Sequence, residues 1–211
     1  LVVPGGVFSM DGDLAPVNEL SALCKAHDAW FMTDDAHGIG VIGAGRGSSF
    51  VGGKKAAVPL QMGTLSKAIG TYGGYLCAAQ PVIDFMRTRA RTFIYSTGLP
   101  PAATAASIAA LNLIEEQPEY AALPLVKAQL FCELLGLPRA ESCIVPVILR
   151  DPVRTLSASQ MLEDEGYLVT AIRPPTVPDG TARLRFTFTA AHEDTEIRRL
   201  AEIVRTRLMN S

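Results

Sequence analysis

VPLQMGTLSKAIG (58–70) is the stretch on which the reading of this chain turns. Its first half, VPLQMGT (58–64), is a strand candidate. Its second half, GTLSKAIG (63–70), carries one lysine, Lys67, among small and uncharged residues. A solvated lysine normally lies among other charges. One set between Gly63 and Gly70 is placed for something bulky to reach its amine. Upstream, WFMTD (30–34) is a second short strand that runs directly into DDAHG (34–38). One strand thus ends in Asp34 and His37, the other in Thr64 and Lys67. That pattern predicts an open α/β sheet with its chemistry at the carboxyl ends of the strands.

Working outward, LVV (1–3) suits a buried parallel strand and YLCAA (75–79) a further strand. Pro16 opens a helix with Val17, Leu20, Cys24 and His27 along one face. PVIDFMRTRART (81–92) and the alanine-rich PPAATAASIAALNLIEEQ (100–117) read as helices. Up to this point strands and helices alternate as in an α/β layer. The pattern then changes. Helix candidates at 120–135, 155–166 and 195–208 are interleaved with strands CIVPVILR (143–150), YLVTAI (167–172) and ARLRFTFTA (182–190). The last alternates strictly, with Leu184, Phe186 and Phe188 on one face and Arg183, Arg185, Thr187 and Thr189 on the other. We read 1–117 as part of a mainly parallel-sheet large domain and 118–211 as a smaller α+β domain.

The chain has 211 residues, of which 48% are hydrophobic, and a net charge of −2. It is long and apolar enough to bury a core, and its charge offers no general attraction to nucleic acid or an anionic membrane. No apolar run reaches membrane-span length. The first residues lack a signal-peptide pattern, so a cytoplasmic location is expected. Cys24, Cys77, Cys132 and Cys143 are widely spaced in apolar contexts and read as buried free thiols.

Several chemical readings fail on spacing. GIGVIG (38–43) fits G-x-G-x-x-G, but AGRGSSFVGG follows in place of a helix, and no acid lies about 20 residues on. Its glycines read as a flexible loop. No cluster of His, Cys, Asp and Glu suggests a metal. His27 and His192 read as surface or packing residues. By itself the Asp34/His37 pair fits a structural role as well as a catalytic one. Lys67 supplies the context, because a lysine amine condenses with a carbonyl. Pyridoxal phosphate (PLP) chemistry asks for four further groups. These are an acid for the pyridine nitrogen (Asp34), a donor for the phenolic oxygen (His37), a hydroxyl for the phosphate (Thr64) and an arginine for a substrate carboxylate (Arg185).

The motifs VFSMDGDLAP, DDAHGIGVIG, GTLSKAIG, YSTGLPP and AIRPPTVPDGTARLRFTFTAAH resemble the α-oxoamine synthases, which are fold-type I PLP enzymes. The resemblance implies a PLP-dependent acyltransferase that condenses an amino acid with an acyl thioester and releases carbon dioxide. Lys67 would bond the cofactor and serve as base. Asp34 and His37 would hold the ring, and Ser9 would be a further cofactor contact. Thr64 would hold the phosphate, and Thr97 would reach the phosphate of a neighbouring subunit in a homodimer. Thr176 and Arg185 would bind substrate. The stretch AIRPPTVP–GTARLR most resembles the family members that use L-alanine, and that resemblance implies L-alanine with pimeloyl-CoA or pimeloyl-acyl carrier protein as substrates. Glycine or serine as the amino acid, or a remnant that folds without cofactor, are the alternatives. On this resemblance the chain corresponds to the C-terminal half of a family member.

Overall fold

The computed structural model describes residues 1–209. The chain divides into two compact units. The first holds Leu1–Val7 and Leu14–Ala121; the second holds Phe8–Asp13 and the residues from Ala122 onward.

The first unit is built on a three-stranded sheet in the order β1 (Met32–Asp34), β2 (Leu60–Thr64), β3 (Gly74–Cys77). β1 and β2 run parallel, with Asp34 opposite Met62; β3 returns antiparallel, with Tyr75 opposite Gly63. The helix α1 (Val17–Ala26) follows Pro16 and buries Val17 and Cys24, one helical stripe apart. They pack with Phe31, Ala56 and Val58 behind the sheet. His27 stands exposed at the helix end rather than on the packed face.

Other expectations also shift here. LVV makes a single parallel bridge, Val2 to Phe31, instead of a strand. Its direction is as read, but Leu1, Val2 and Val3 are exposed, because no element among the described residues covers them. The helix expected over 81–92 breaks at Ala90, whose ψ of 99° is extended, giving α2 (Gln80–Arg89) and α3 (Arg91–Ile94). α2 buries no side chain that would hold it through the break. α4 (Pro101–Glu116) lies within the 100–117 stretch read as a helix. Cys77 is exposed, unlike the other three cysteines, and all four are free thiols.

α5 (Pro118–Leu135) leads into the second unit. Its sheet has the order β4 (Ile144–Arg150), β6 (Ala182–Thr187), β5 (Thr170–Ile172), all antiparallel. α6 (Pro152–Asp164) begins at Asp151, whose side chain accepts the Arg154 N–H at 2.6 Å. Tyr167 does not enter β5 as expected. Its N–H donates to the Leu162 carbonyl at 2.8 Å to close the end of α6 after Gly166, so the strand starts only at Thr170. α7 (Asp194–Val204) buries Ile197, Leu200, Ala201 and Val204.

The inward face of β6 is the one that alternation marks. Leu184, Phe186 and Phe188 are buried with Phe131, Leu162 and Val204. The Phe131 ring lies 4.8 Å from Phe186 and 5.1 Å from Phe188, centroid to centroid. Phe131→Ala is expected to destabilise this unit by about 3–5 kcal/mol. Urea unfolding would show this, and a loss under about 1 kcal/mol would mean that Phe131 is not central to the core.

Among the described residues no helix is long and apolar enough to cross a membrane.

Candidate functional site

Because β1 and β2 are parallel, both leave the sheet at the same end. After β1 the chain turns at once. The Ala36 N–H donates to Asp34 Oδ1 at 2.9 Å, and the Asp35 carbonyl accepts from Gly38 at 2.9 Å and Ile39 at 3.0 Å. This turn carries His37. After β2, the Thr64 hydroxyl donates to the Gly73 carbonyl at 3.0 Å and lies 2.7 Å from the Ser66 hydroxyl. Lys67 follows on an exposed bend, closed by a 2.9 Å bond from the Gly70 N–H to the Lys67 carbonyl. The two turns meet where Lys67 Nζ stands 2.8 Å from His37 Nε2. A contact that short requires one nitrogen to donate and the other to accept. The imidazole is therefore set to hold the amine in place and to exchange a proton with it.

Strand alternation puts Asp34 on one face of the sheet and Thr33 and Asp35 on the other. Asp35 is buried. Its Oδ1 accepts the Ser48 N–H at 2.7 Å, and the Thr33 hydroxyl lies 3.4 Å from Oδ2. A Cβ at Gly6 or Gly38 would come within 2.5 Å of that carboxyl, and Gly47, at φ 91°, would place one 2.9 Å from its carbon. The glycine-rich segment is thus clamped to the back of β1. Gly40 and Gly45 bond at 2.8 Å, Gly47 and Ile42 at 3.1 Å, and Val41 and Ile42 are buried. The expectation of a flexible loop is corrected. Those glycines permit close packing on a carboxylate, a contact that no local pattern reveals.

Burial pushes the Asp35 carboxyl above its ordinary range, against the Ser48 N–H, which favours the charged form. The folded state therefore holds this proton more tightly than the unfolded chain. Stability tied to Asp35 rises as pH falls through the raised folded-state value toward the ordinary one. Asp35→Asn is expected to remove that gain. The wild-type advantage in unfolding free energy would then grow as pH falls from neutral toward the ordinary carboxylate range. An advantage that shrinks over that range in urea titrations would overturn the assignment.

Gly63 also has a different use from the one its place beside Lys67 suggests. A Cβ there would lie 2.4 Å from the Tyr75 hydroxyl on β3, so the glycine makes room for the phenol. Burial, and next the Asp35 charge, push that phenol up to about 12. Gly70, at φ 73°, serves the turn after Lys67 and has open space around it.

Asp34, His37, Thr64 and Lys67 thus gather at one end of the first unit's sheet. Thr97 follows α3 in the same unit and is exposed. The remaining predicted residues belong to the second unit. Ser9 is half-buried in the Phe8–Asp13 loop, and Thr176 is exposed in the turn closed by its N–H on the Arg173 carbonyl at 3.1 Å. Arg185 lies on β6 between Pro146 and Thr170. Its Nε is buried and has no hydrogen-bond partner among the described residues. A buried guanidinium N–H without an acceptor is costly unless a ligand supplies one. Sequence reasoning missed Asp35 with Ser48, and Asp11, which pairs with Arg183. The strict alternation of β6, with Arg183 on the Arg185 face, was the available signal for the latter.

The family model "Aminotransferase class I and II" matches residues 1–204. An 8-amino-7-oxononanoate synthase of Methylocella silvestris is 65% identical over 205 residues, covering 97% of this chain and 58% of that protein. The serine palmitoyltransferase of Sphingomonas wittichii superposes with a TM-score of 0.90 at 31% identity, covering 97% of this chain and 53% of that one. A serine palmitoyltransferase structure with a PLP internal aldimine gives 0.88 at 31% identity, covering 96% of this chain and 53% of its own. The chain spans about half the length of the proteins it matches.

Proposed function

Because the chain belongs to the class I and II aminotransferase family, with the α/β architecture of fold-type I PLP enzymes, we propose that it holds PLP through Lys67 and takes part in an 8-amino-7-oxononanoate synthase reaction. That reaction joins L-alanine to a pimeloyl thioester, carried on CoA or acyl carrier protein, with loss of carbon dioxide, and leads toward biotin. The observation that carries the reading is the 2.8 Å contact between Lys67 Nζ and His37 Nε2, with Asp34 and Thr64 at the ends of adjoining parallel strands.

The donor set fits the cofactor. Lys67 offers an exposed amine. Asp34 uses Oδ1 on Ala36, which leaves Oδ2 to face a cationic ring nitrogen. His37 can serve a phenolic oxygen, and the hydroxyls of Thr64 and Ser66, whose protons here go to Gly73 and to each other, would turn to donate to the phosphate. PLP, when bound, supplies the aldehyde and the electron-withdrawing ring that make an amino acid's α-proton acidic. Within the chain, Lys67 takes that proton and His37 keeps the amine aimed. Arg185 receives the substrate carboxylate, because its buried Nε has no hydrogen-bond partner among the described residues. Ser9 is assigned to the cofactor and Thr176 to the substrate. Thr97 is assigned to the phosphate of a second subunit, in a homodimer.

L-alanine is preferred over serine because the oxononanoate synthase is 65% identical and the serine palmitoyltransferase 31%. The test is direct. The purified chain is mixed with PLP, scanned for the imine absorption band, and assayed by NMR for exchange of the L-alanine α-proton with solvent deuterium. Band and exchange together support the reading. A chain that gives no band at millimolar PLP would sink it.

A further inference from the structure

The two arginines on the polar face of β6 have unlike surroundings. Arg183 is 5% exposed, and its Nε and Nη1 donors are taken up. Nε–H donates to the Thr181 carbonyl at 2.9 Å, and an Nη1 hydrogen reaches the Met10 carbonyl at 3.4 Å. The same Nη1 pairs with the Asp11 carboxylate. Arg185, two residues on and on the same face, keeps a buried Nε–H without an acceptor among the described residues. Both guanidiniums have the chemistry to receive a carboxylate. Arg183 already pairs with a carboxylate, whereas Arg185 has no ion pair among the described residues.

The loop that brings Asp11 is itself fixed. Phe8 N–H bonds the Asp13 carbonyl at 3.0 Å, and Gly12 N–H bonds the Phe8 carbonyl at 2.8 Å. The Ser142 hydroxyl donates to the Gly12 carbonyl at 2.7 Å. Gly12 has φ 77°, and a Cβ there would lie 2.2 Å from the Ile144 carbonyl oxygen. The turn therefore requires glycine and delivers the neighbouring aspartate to Arg183. The Asp11 side chain is still 54% exposed, so water and small anions reach the outer side of the pair.

We infer that Asp11 is a positioning residue that occupies Arg183 and so confines carboxylate binding on this face of β6 to Arg185. The same pair holds the loop bearing Ser9 against the strand. The role given to Arg185 rests on the function proposed above, whereas the role of Asp11 toward Arg183 does not. Without Asp11 the buried Arg183 cation would lose the carboxylate it pairs with, and a small carboxylate from solution would take its place.

The experiment follows the side-chain Nε–Hε NMR signals of Arg183 and Arg185 in the 211-residue chain during titration with sodium acetate. In the wild type, only the Arg185 signal is expected to shift. In Asp11→Ala both should shift, and acetate should raise the melting temperature of the variant more than that of the wild type. Asp11→Asn keeps an oxygen acceptor but no charge. It serves as the second variant if alanine unfolds the loop, and Arg183 should respond in it too. An Arg183 shift in the wild type, or an Arg183 signal that ignores acetate in both variants, overturns the inference. An Arg185 that stays silent throughout, while Arg183 responds only in the variants, supports Asp11 as the occupant of Arg183. That outcome would count against Arg185 as the carboxylate receptor.

Discussion

Lys67→Ala is expected to abolish covalent capture of PLP and to cut exchange of the L-alanine α-proton by about 10²–10⁴-fold, the usual contribution of a positioned general base. The amine it removes is exposed and sits 2.8 Å from His37 Nε2. Loss of a surface side chain normally changes stability by no more than about 0.5 kcal/mol, so unfolding should be nearly unaffected and the loss of chemistry specific. Borohydride reduction after PLP loading, followed by peptide mapping, should place the pyridoxyl label on Lys67 in the wild type and nowhere in the variant. Two of the competitors are otherwise engaged. Lys127 bonds the His192 carbonyl and lies 3.9 Å from Asp194, and Lys55 lies 5.4 Å from the Phe50 ring centroid. A label on either of these, or on Lys25 or Lys54, removes Lys67 from the site.

How much of this was legible follows from how far apart the partners lie. Asp34 with His37 and Thr64 with Lys67 are each three residues apart at a strand end, so a strand and a turn suffice to place them. Parallel pairing of the two strands, expected of an α/β sheet, then brings His37 to Lys67. The core face of β6 was equally plain, because a period of two leaves no choice about which side Leu184, Phe186 and Phe188 share. What stayed hidden depends on contacts with no local pattern. Asp35 meets Ser48 only because the glycine segment folds back on it. Asp11 meets Arg183 across 172 positions, which takes Phe8–Asp13 into the second unit although both flanking segments stay in the first. Local spacing makes Gly63 look like clearance for Lys67, but the space belongs to Tyr75, a partner visible only once β3 is known to pair with β2.

The neighbouring aspartates allow the sharpest separation of chemistry from architecture. Asp34→Asn keeps the shape and an oxygen to accept the Ala36 N–H, now 2.9 Å from Asp34 Oδ1, but it removes the negative charge. An opposite charge close to an ionisable group shifts its pKa by about 1–3 units. Losing it should leave the cofactor ring less protonated and lower α-proton exchange by about ten- to a thousand-fold, with PLP still retained. Asp35 points to the other face, is buried, and is committed to Ser48 and Thr33. Asp35→Asn should therefore change stability and its dependence on pH while leaving exchange, in the folded fraction, within a few-fold of wild type. Measuring exchange and urea unfolding on both variants separates the roles. If Asp34→Asn exchanges at the wild-type rate while Asp35→Asn does not, the electron-withdrawing partner is the buried residue. The face assignment made from strand alternation would then have to be reversed.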